Sequence, residues 1–96
     1  GDHRADVYAL GLTLYELLTL RPAFAAENRA KLVQEVTEAN PPRPRAVTAT
    51  IPRDLETIVL KATARDAGAR YPSAAALADD LKRFLDGRTI TARRVG

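Results

Sequence analysis

The sequence predicts an all-α chain, and three observations lead to this prediction. Apolar residues recur at helical spacing in four separate segments. No segment alternates apolar and polar residues for long enough to indicate a strand. The composition, with 46% hydrophobic and 28% charged residues among 96, is typical of a folded chain and not of an intrinsically disordered one.

The first predicted helix, at residues 4–20, is the most apolar of the four. Tyr8 and Tyr15 extend its apolar surface beyond a single stripe, and a helix that is apolar nearly all round is typical of the interior of a larger protein. Pro22 ends the helix, because proline disfavours helical backbone in the residue before it. The stripe follows i, i+3, i+4, i+7 spacing and consists of Val7, Leu10, Gly11, Leu14, Leu17 and Leu18.

A second helix is predicted at residues 27–39, and its apolar set is so thin that we expect it at the surface. Residues 40–50 follow as an extended loop, because Pro41, Pro42 and Pro44 remove backbone donors and fix φ. The same prolines also fit a proline-rich ligand for SH3-type domains, but a connecting loop is the preferred interpretation.

A third helix is predicted at residues 52–65 and a fourth at 73–85, separated by a break at 66–69. Ser73 is the expected N-cap of the fourth helix, since its hydroxyl can accept a hydrogen bond from the first turn. Gly87 is its expected C-terminal stop. The polar face of this helix, which we expect to face water, consists of Asp79, Asp80, Lys82 and Arg83.

The domain organisation is predicted to be simple. Residues 1–87 form one helical unit, and residues 88–96 form a basic linker or tail without periodicity. The chain opens without an initiator methionine or a signal peptide, so we expect it to begin inside a longer protein. A unit of this size buries only a modest core by itself.

The composition also argues against several classes of site. The sequence contains no cysteine, which excludes disulfides and thiolate metal sites, and the single His3 cannot form a zinc site alone. No apolar run is long enough to cross a bilayer. The net charge of +3 comes from basic residues scattered among acidic ones until the last few positions, which favours a solvated surface over a nucleic-acid interface.

Several short motifs, in order and at matching spacing, resemble the C-terminal lobe of eukaryotic-like protein kinases. Each motif alone is weak, but together they cover nearly all of residues 2–90, and the L-A-D-D-L motif with a basic tail is most similar to bacterial serine/threonine kinases. The resemblance implies that the four helices are the C-terminal part of a kinase C-lobe, an incomplete kinase fold. The motifs are D-V-Y-A-L-G at residues 6–11, L-Y-E-L-L-T at 14–19, R-P-A-F at 21–24, D-L-E-T-I-V-L-K-A at 54–62, R-Y-P-S-A at 70–74 and L-A-D-D-L at 77–81.

Two positions depart from the pattern of that family. Leu20 stands where the family often has glycine, so the first helix is expected to end differently. Ala67 stands where the family commonly has proline, which is expected to loosen the turn before Arg70.

The resemblance implies structural roles for three residues. Asp6 matches the position whose carboxylate accepts hydrogen bonds from backbone N–H groups of the catalytic loop. Gly11 lets another segment approach the first helix closely, because it has no Cβ. Arg70 matches the arginine that pairs with the glutamate of the A-P-E motif, which is absent from these 96 residues, so Arg70 is expected to be unpaired or to use Asp66 instead. Without the resemblance, Asp6 is simply a first-turn acid favoured by the helix dipole, and Arg70 a solvated surface residue.

The motifs that perform phosphoryl transfer in this family do not occur in the sequence. It has no glycine-rich loop, V-A-I-K lysine, H-R-D catalytic loop or D-F-G metal ligand, so we expect no catalytic, cofactor-binding or metal-binding residue here. The resemblance implies a cytoplasmic parent protein that uses ATP and Mg²⁺ to phosphorylate protein substrates, and a membrane anchor downstream would fit its bacterial relatives. This segment would pack against upstream kinase segments, support the catalytic loop and the substrate platform, and be inactive alone.

Two other hypotheses stay open. In the first, the segment belongs to a non-catalytic pseudokinase or a helical interaction module, and its helices serve only as a docking surface. In the second, which is the least favoured, the chain is a helical nucleic-acid binder that uses Arg88, Arg93 and Arg94. Upstream sequence without the catalytic aspartate would favour the first, and salt-dependent binding to duplex DNA the second.

Overall fold

The structure, a computed structural model, describes residues 3–23 and 41–93. Within these two ranges the backbone forms helices, turns and connecting segments and no strand, which confirms the all-α prediction. The helix predicted at residues 27–39 lies outside the described residues. The elements are α1 at His3–Thr19, α2 at Pro44–Val47, α3 at Arg53–Ala62, a 3₁₀ turn at Ala67–Ala69 and α4 at Ala74–Leu85.

The first helix ends in a residue with left-handed backbone. Leu20 has a φ of 57°, and its N–H donates to the carbonyl of Glu16 at 2.8 Å. This conformation costs leucine about 1 kcal/mol, whereas glycine adopts it freely. The helix therefore ends in a conformation that suits glycine, although the residue at this position is leucine.

Two adjacent residues of α1 hold the chain on either side of residues 24–40. The carboxylate of Glu16 accepts a hydrogen bond from the backbone N–H of Ala23 at 3.0 Å. The hydroxyl of Tyr15 donates to the carbonyl of Pro42 at 2.7 Å. Burial raises the pKa of Tyr15, so its hydroxyl stays protonated and keeps this donor in place.

The prediction of an extended loop at residues 40–50 is wrong in part, because Pro44 begins the short helix α2. Proline is compatible with the first position of a helix, where its missing N–H would have no intrahelical partner and its fixed φ is already helical. The helix closes when the N–H of Thr48 donates to the carbonyl of Pro44 at 2.9 Å. Pro44 is fully buried, which argues against the alternative of a proline-rich ligand displayed to an SH3-type domain.

The third and fourth helices match their predicted positions, and α3 is shorter than expected. It covers ten residues and begins after Pro52, which is its N-cap. In α4 the side chain of Ser73 accepts a hydrogen bond from the N–H of Ala76 at 3.1 Å, which confirms the predicted cap. Gly87 has a φ of 72°, as expected for the glycine that follows a helix.

The core lies where α1, α3 and α4 meet. Ile58, Val59 and Ala62 of α3 are fully buried between the other two helices. The buried residues form two clusters, one near the start of α1 and the other near its end. The first consists of Val7, Ile58, Ala62, Tyr71, Leu77 and Ala92, and the second of Tyr15, Ala23 and Val59.

Only one side of α1 is covered in the part of the chain that the structure describes. The buried residues are Val7, Gly11, Tyr15 and Thr19, which recur every four residues. The predicted stripe was wider, and Leu10 and Leu17 from it are 45% and 66% exposed. None of the helices in residues 3–23 and 41–93 is long and apolar enough to cross a membrane.

The crossing of α1 and α3 depends on Gly11. A Cβ at this position would lie 2.7 Å from Cγ2 of Thr63 and 2.8 Å from Cβ of Ala62. Both distances are shorter than a van der Waals contact, so any larger side chain would force the end of α3 away from α1. The absence of a Cβ therefore sets how closely these two helices pack.

We predict that Gly11→Ala destabilises the fold. The added methyl group would overpack the crossing at a cost of about 1–3 kcal/mol, which exceeds the gain of up to about 1 kcal/mol in helix propensity. Urea denaturation should show a lower midpoint for the variant. Gly68→Ala is the matched control, because a Cβ there would meet Oδ1 of Asp66 at 3.4 Å, an ordinary contact. Equal midpoints for Gly11→Ala and the unmodified protein would contradict the prediction.

Candidate functional site

Asp6 lies in the first turn of α1, and its side chain is exposed. Within the part of the chain that the structure describes, its carboxylate accepts no hydrogen bond. The favourable field of the helix N-terminus suits an acid in this position. The structure therefore presents an ionisable acceptor at the end of the apolar helix, open to a segment approaching from outside.

Arg70 joins the loop after α3 to the start of α1. Its Nε donates to the carbonyl of Ala64 at 2.6 Å, and its two terminal nitrogens donate to the carbonyls of Arg65 and Arg4 at 3.2 and 3.3 Å. The guanidinium also stacks on the ring of Tyr8, 4.6 Å from its centroid. Arg70 thus forms no ion pair with a carboxylate among the described residues, and its guanidinium binds backbone carbonyls instead of facing only solvent. It holds the N-terminal turn of α1, which also carries Asp6.

Asp66 is not the substitute partner of Arg70 that the sequence suggested. Its carboxylate Oδ1 accepts the backbone N–H of Gly68 at 3.0 Å and so caps the 3₁₀ turn. A short acidic side chain beside a turn accepts a hydrogen bond from a nearby backbone N–H more readily than it reaches a distant guanidinium group. This cap organises the turn that the alanine at position 67 was expected to loosen.

Asp80 is the largest correction to the sequence analysis, which placed it on the water-facing side of α4. The side chain is completely buried. Its two oxygens accept hydrogen bonds from the hydroxyl of Tyr71 at 2.5 Å and from the backbone N–H groups of Thr91 and Ala92 at 2.6 and 3.0 Å. A buried carboxylate with three donors is satisfied, so it joins three parts of the chain that are distant in sequence.

The hydrogen bonds at Asp80 outweigh its burial. Burial by itself raises the pKa of the carboxyl, but the bonds from Tyr71, Thr91 and Ala92 lower it, and the pKa lies below its ordinary value. The same environment acts in the opposite direction on Tyr71. Burial, and then the bond to the Asp80 carboxylate and its charge, raise the pKa of Tyr71 far above 10. The pair is therefore a protonated phenol bound to an ionised carboxylate across the neutral pH range.

The predicted linker at residues 88–96 is not wholly free of the helical unit. Ala92 is buried in the first core cluster, and Ile90 packs against that cluster. The bonds from Thr91 and Ala92 to Asp80 explain why the segment stays in place. The sequence held one indication that Asp80 is buried. It lies three residues after Leu77 and four before Phe84, which is the spacing of residues on the apolar face of α4.

The structure describes two of the three arginines that were considered for a nucleic-acid interface. Arg88 and Arg93 are exposed, and Arg94 lies outside the described residues. In residues 3–23 and 41–93, no group of three or more His, Cys, Asp or Glu side chains is arranged to hold a metal ion.

Comparison with known proteins finds protein kinases. No protein-family model matches the chain. The chain is 42% identical over 84 residues to the tyrosine-protein kinase MasK of Myxococcus xanthus, an alignment that covers 88% of this chain and 13% of that protein. It is 34% identical over 91 residues to the serine/threonine-protein kinase PrkC of Bacillus subtilis, covering 95% of this chain and 14% of PrkC.

A third similarity has almost the same extent. The chain is 35% identical over 94 residues to the serine/threonine-protein kinase PknB of Mycolicibacterium smegmatis, covering 98% of this chain and 15% of PknB. The chain thus spans about one seventh of the length of these curated relatives. It matches a segment of each of them.

We predict that Asp80→Ala destabilises the protein by about 3 kcal/mol, because it leaves a buried hydroxyl and two buried N–H groups without an acceptor. Thermal or urea unfolding measures the loss. The control is Asp79→Ala in the adjacent position, where the carboxylate is exposed and forms a surface ion pair with Arg83 at 3.2 Å. That change should cost no more than about 0.5 kcal/mol. Similar losses for the two variants would show that burial of Asp80 is not the cause.

The dependence of stability on pH should reveal the same pair. The lowered pKa of Asp80 gives stability that is fully present above about pH 4 and is lost as the pH falls through the folded-state value. The raised pKa of Tyr71 gives stability that is present below about pH 10 and is lost as the pH rises further. In unfolding free energies measured against pH, Asp80→Asn should flatten the acid limb and Tyr71→Phe the alkaline limb. Unchanged limbs in both variants would refute this assignment.

Proposed function

The chain corresponds to a C-terminal-lobe segment of bacterial protein kinases, and from this premise we propose that the whole protein transfers the γ-phosphate of ATP to serine or threonine hydroxyls of protein substrates. The observation that carries the proposal is the similarity to kinases over 88–98% of the chain. MasK is named a tyrosine kinase, whereas PrkC and PknB are named serine/threonine kinases. The serine/threonine assignment rests on the latter two.

Within that protein we assign to this segment the role of a scaffold for the catalytic loop. The exposed carboxylate of Asp6 supports this role, since it has no hydrogen-bond donor among the described residues. Charged carboxylates form short, strong bonds to backbone amides, which suits the task of holding a loop in one conformation. Gly11 contributes indirectly, because the close crossing of α1 and α3 fixes the helix that carries Asp6.

Arg70 has capacity for the proposed ion pair with the A-P-E glutamate. A guanidinium carries five N–H donors, and the three contacts to backbone carbonyls use one on each nitrogen. One donor on each terminal nitrogen stays available, and two such donors match the two oxygens of a carboxylate. Arg70 would then connect that glutamate to the first turn of α1.

Binding of ATP and Mg²⁺ belongs, in this proposal, to parts of the protein other than these residues. The kinase motifs that hold the nucleotide and the metal do not occur in the 96 residues, so we derive no catalytic step from them. The isolated chain would accordingly transfer no phosphate. Because the reaction consumes ATP, we place this segment in the cytoplasm, whether or not the whole protein has a membrane anchor downstream.

The decisive experiment measures phosphate transfer from labelled ATP to a generic protein substrate. The whole protein should label serine and threonine residues, and the 96-residue chain alone should label none. Asp6→Asn in the whole protein should lower kcat by about 10–100-fold with little change in KM for ATP, because misplacing a catalytic group by about 1 Å costs this much. Asp86→Asn, an equal change at an exposed position just after α4, should keep full activity.

The possible failures are distinguishable. A whole protein that folds but transfers no phosphate would reject the kinase proposal and favour the non-catalytic interaction module. Full kcat in Asp6→Asn, with an active parent, would reject only the scaffold role of Asp6.

A further inference from the structure

A basic cleft lies between α3 and the segment that follows α4. Its volume is about 500 Å³, within the range of sites for small ligands and short peptide segments. Three cationic side chains line it, from Arg43, Lys61 and Arg93, against a single acidic one from Glu56. One wall of the cleft is apolar and is formed by Leu60, Ala64 and Ala69. The excess of positive charge in one concave site indicates an anionic ligand.

The acid in the cleft is already engaged. Oε2 of Glu56 accepts the backbone N–H of Arg45 at 2.9 Å, at the start of α2. Asp54 lies outside the cleft, in a neighbouring depression that Arg93 also lines, and forms no ion pair with that arginine. The cations therefore exceed the acids by two within the cleft.

The cations are positioned by the fold. The Nζ of Lys61 donates to the carbonyl of Ala69 at 3.3 Å and lies over the ring of Tyr71, 5.3 Å from its centroid. Arg93 follows directly on the segment whose N–H groups are bound by the buried Asp80 carboxylate. Arg43 precedes the buried Pro44. Arg43 and Arg93 are exposed, and neither guanidinium group forms a hydrogen bond or ion pair within the described ranges.

We infer that this cleft binds a phosphorylated serine or threonine within a short peptide segment. A phosphate dianion has three acceptor oxygens, so it can bind two guanidinium groups and one ammonium group at once. A carboxylate has only two oxygens and a single charge, and it matches these three cations less well. The apolar wall gives the residues beside the phosphate a surface to contact. A nucleic acid or an anionic membrane would require a track or a flat face of cations, whereas these three converge on one concavity.

The test uses the whole protein and a short, otherwise neutral peptide that carries one phosphoserine and a fluorophore. Fluorescence anisotropy at physiological ionic strength should show saturable binding, and the unphosphorylated peptide should bind at least about tenfold more weakly. Arg93→Ala and Arg43→Ala should each weaken phosphopeptide binding about tenfold. Glu56→Gln should strengthen it a few-fold, because it removes the one negative charge and keeps an acceptor for Arg45. This opposite sign separates a direct effect from misfolding.

The matched control is Arg88→Ala, an equal loss of charge from the same segment at an exposed position that does not line the cleft. Its affinity for the phosphopeptide should be unchanged. Equal weakening by Arg88→Ala and Arg93→Ala would overturn the inference in favour of diffuse charge attraction. Equally tight binding of inorganic phosphate, of phosphatidylserine vesicles or of duplex DNA would overturn the assignment to a peptide.

Discussion

The close crossing of α1 and α3 at Gly11 is the constraint on which the other parts of this fold depend. Because the helices meet there without a side chain between them, Val7 and Tyr15 reach the fully buried face of α3 on either side of the crossing. The same crossing brings the start of α1 near the loop after α3, where Arg70 can reach its carbonyls. The position of Asp6 thus follows from the packing of a glycine five residues further along the helix.

A second constraint acts at the other end of the chain. The ionised carboxylate of Asp80 replaces its lost hydration with three short hydrogen bonds, so it is stable in a buried place that a lone charge would avoid. Its partners come from the loop before α4 and from the segment after it. The buried carboxylate thus holds residues 91 and 92 against α4 through two directional hydrogen bonds.

The parts of the fold that depend on local sequence could be predicted, and the parts that depend on distant contacts could not. The helices α1 and α4, which were predicted from apolar spacing, and the cap at Ser73 depend on local sequence, and the structure contains all three. The helix at Pro44 was missed because the closely spaced prolines at positions 41, 42 and 44 were interpreted only as helix breakers. The spacing of Asp80 from Leu77 and Phe84 could have indicated its burial, but nothing nearby in sequence shows that residues 91 and 92 supply its hydrogen-bond donors. The carbonyl partners of Arg70 could not be predicted either, because every residue has a backbone carbonyl and the sequence does not show which ones lie within reach.

The two hydrogen bonds from Tyr15 and Glu16 have a topological consequence. These neighbouring side chains hold Ala23 and Pro42, so the chain leaves α1 and returns to it at almost the same level of a single helix. Ala23 and Pro42, which lie on either side of residues 24–40, are therefore both fixed to the same turn of α1. Loop-closure entropy grows with the logarithm of chain length, so each doubling of the length between two fixed points costs only about 0.6 kcal/mol. An insertion between these two fixed points should consequently destabilise the helical body less than an insertion within one of its helices.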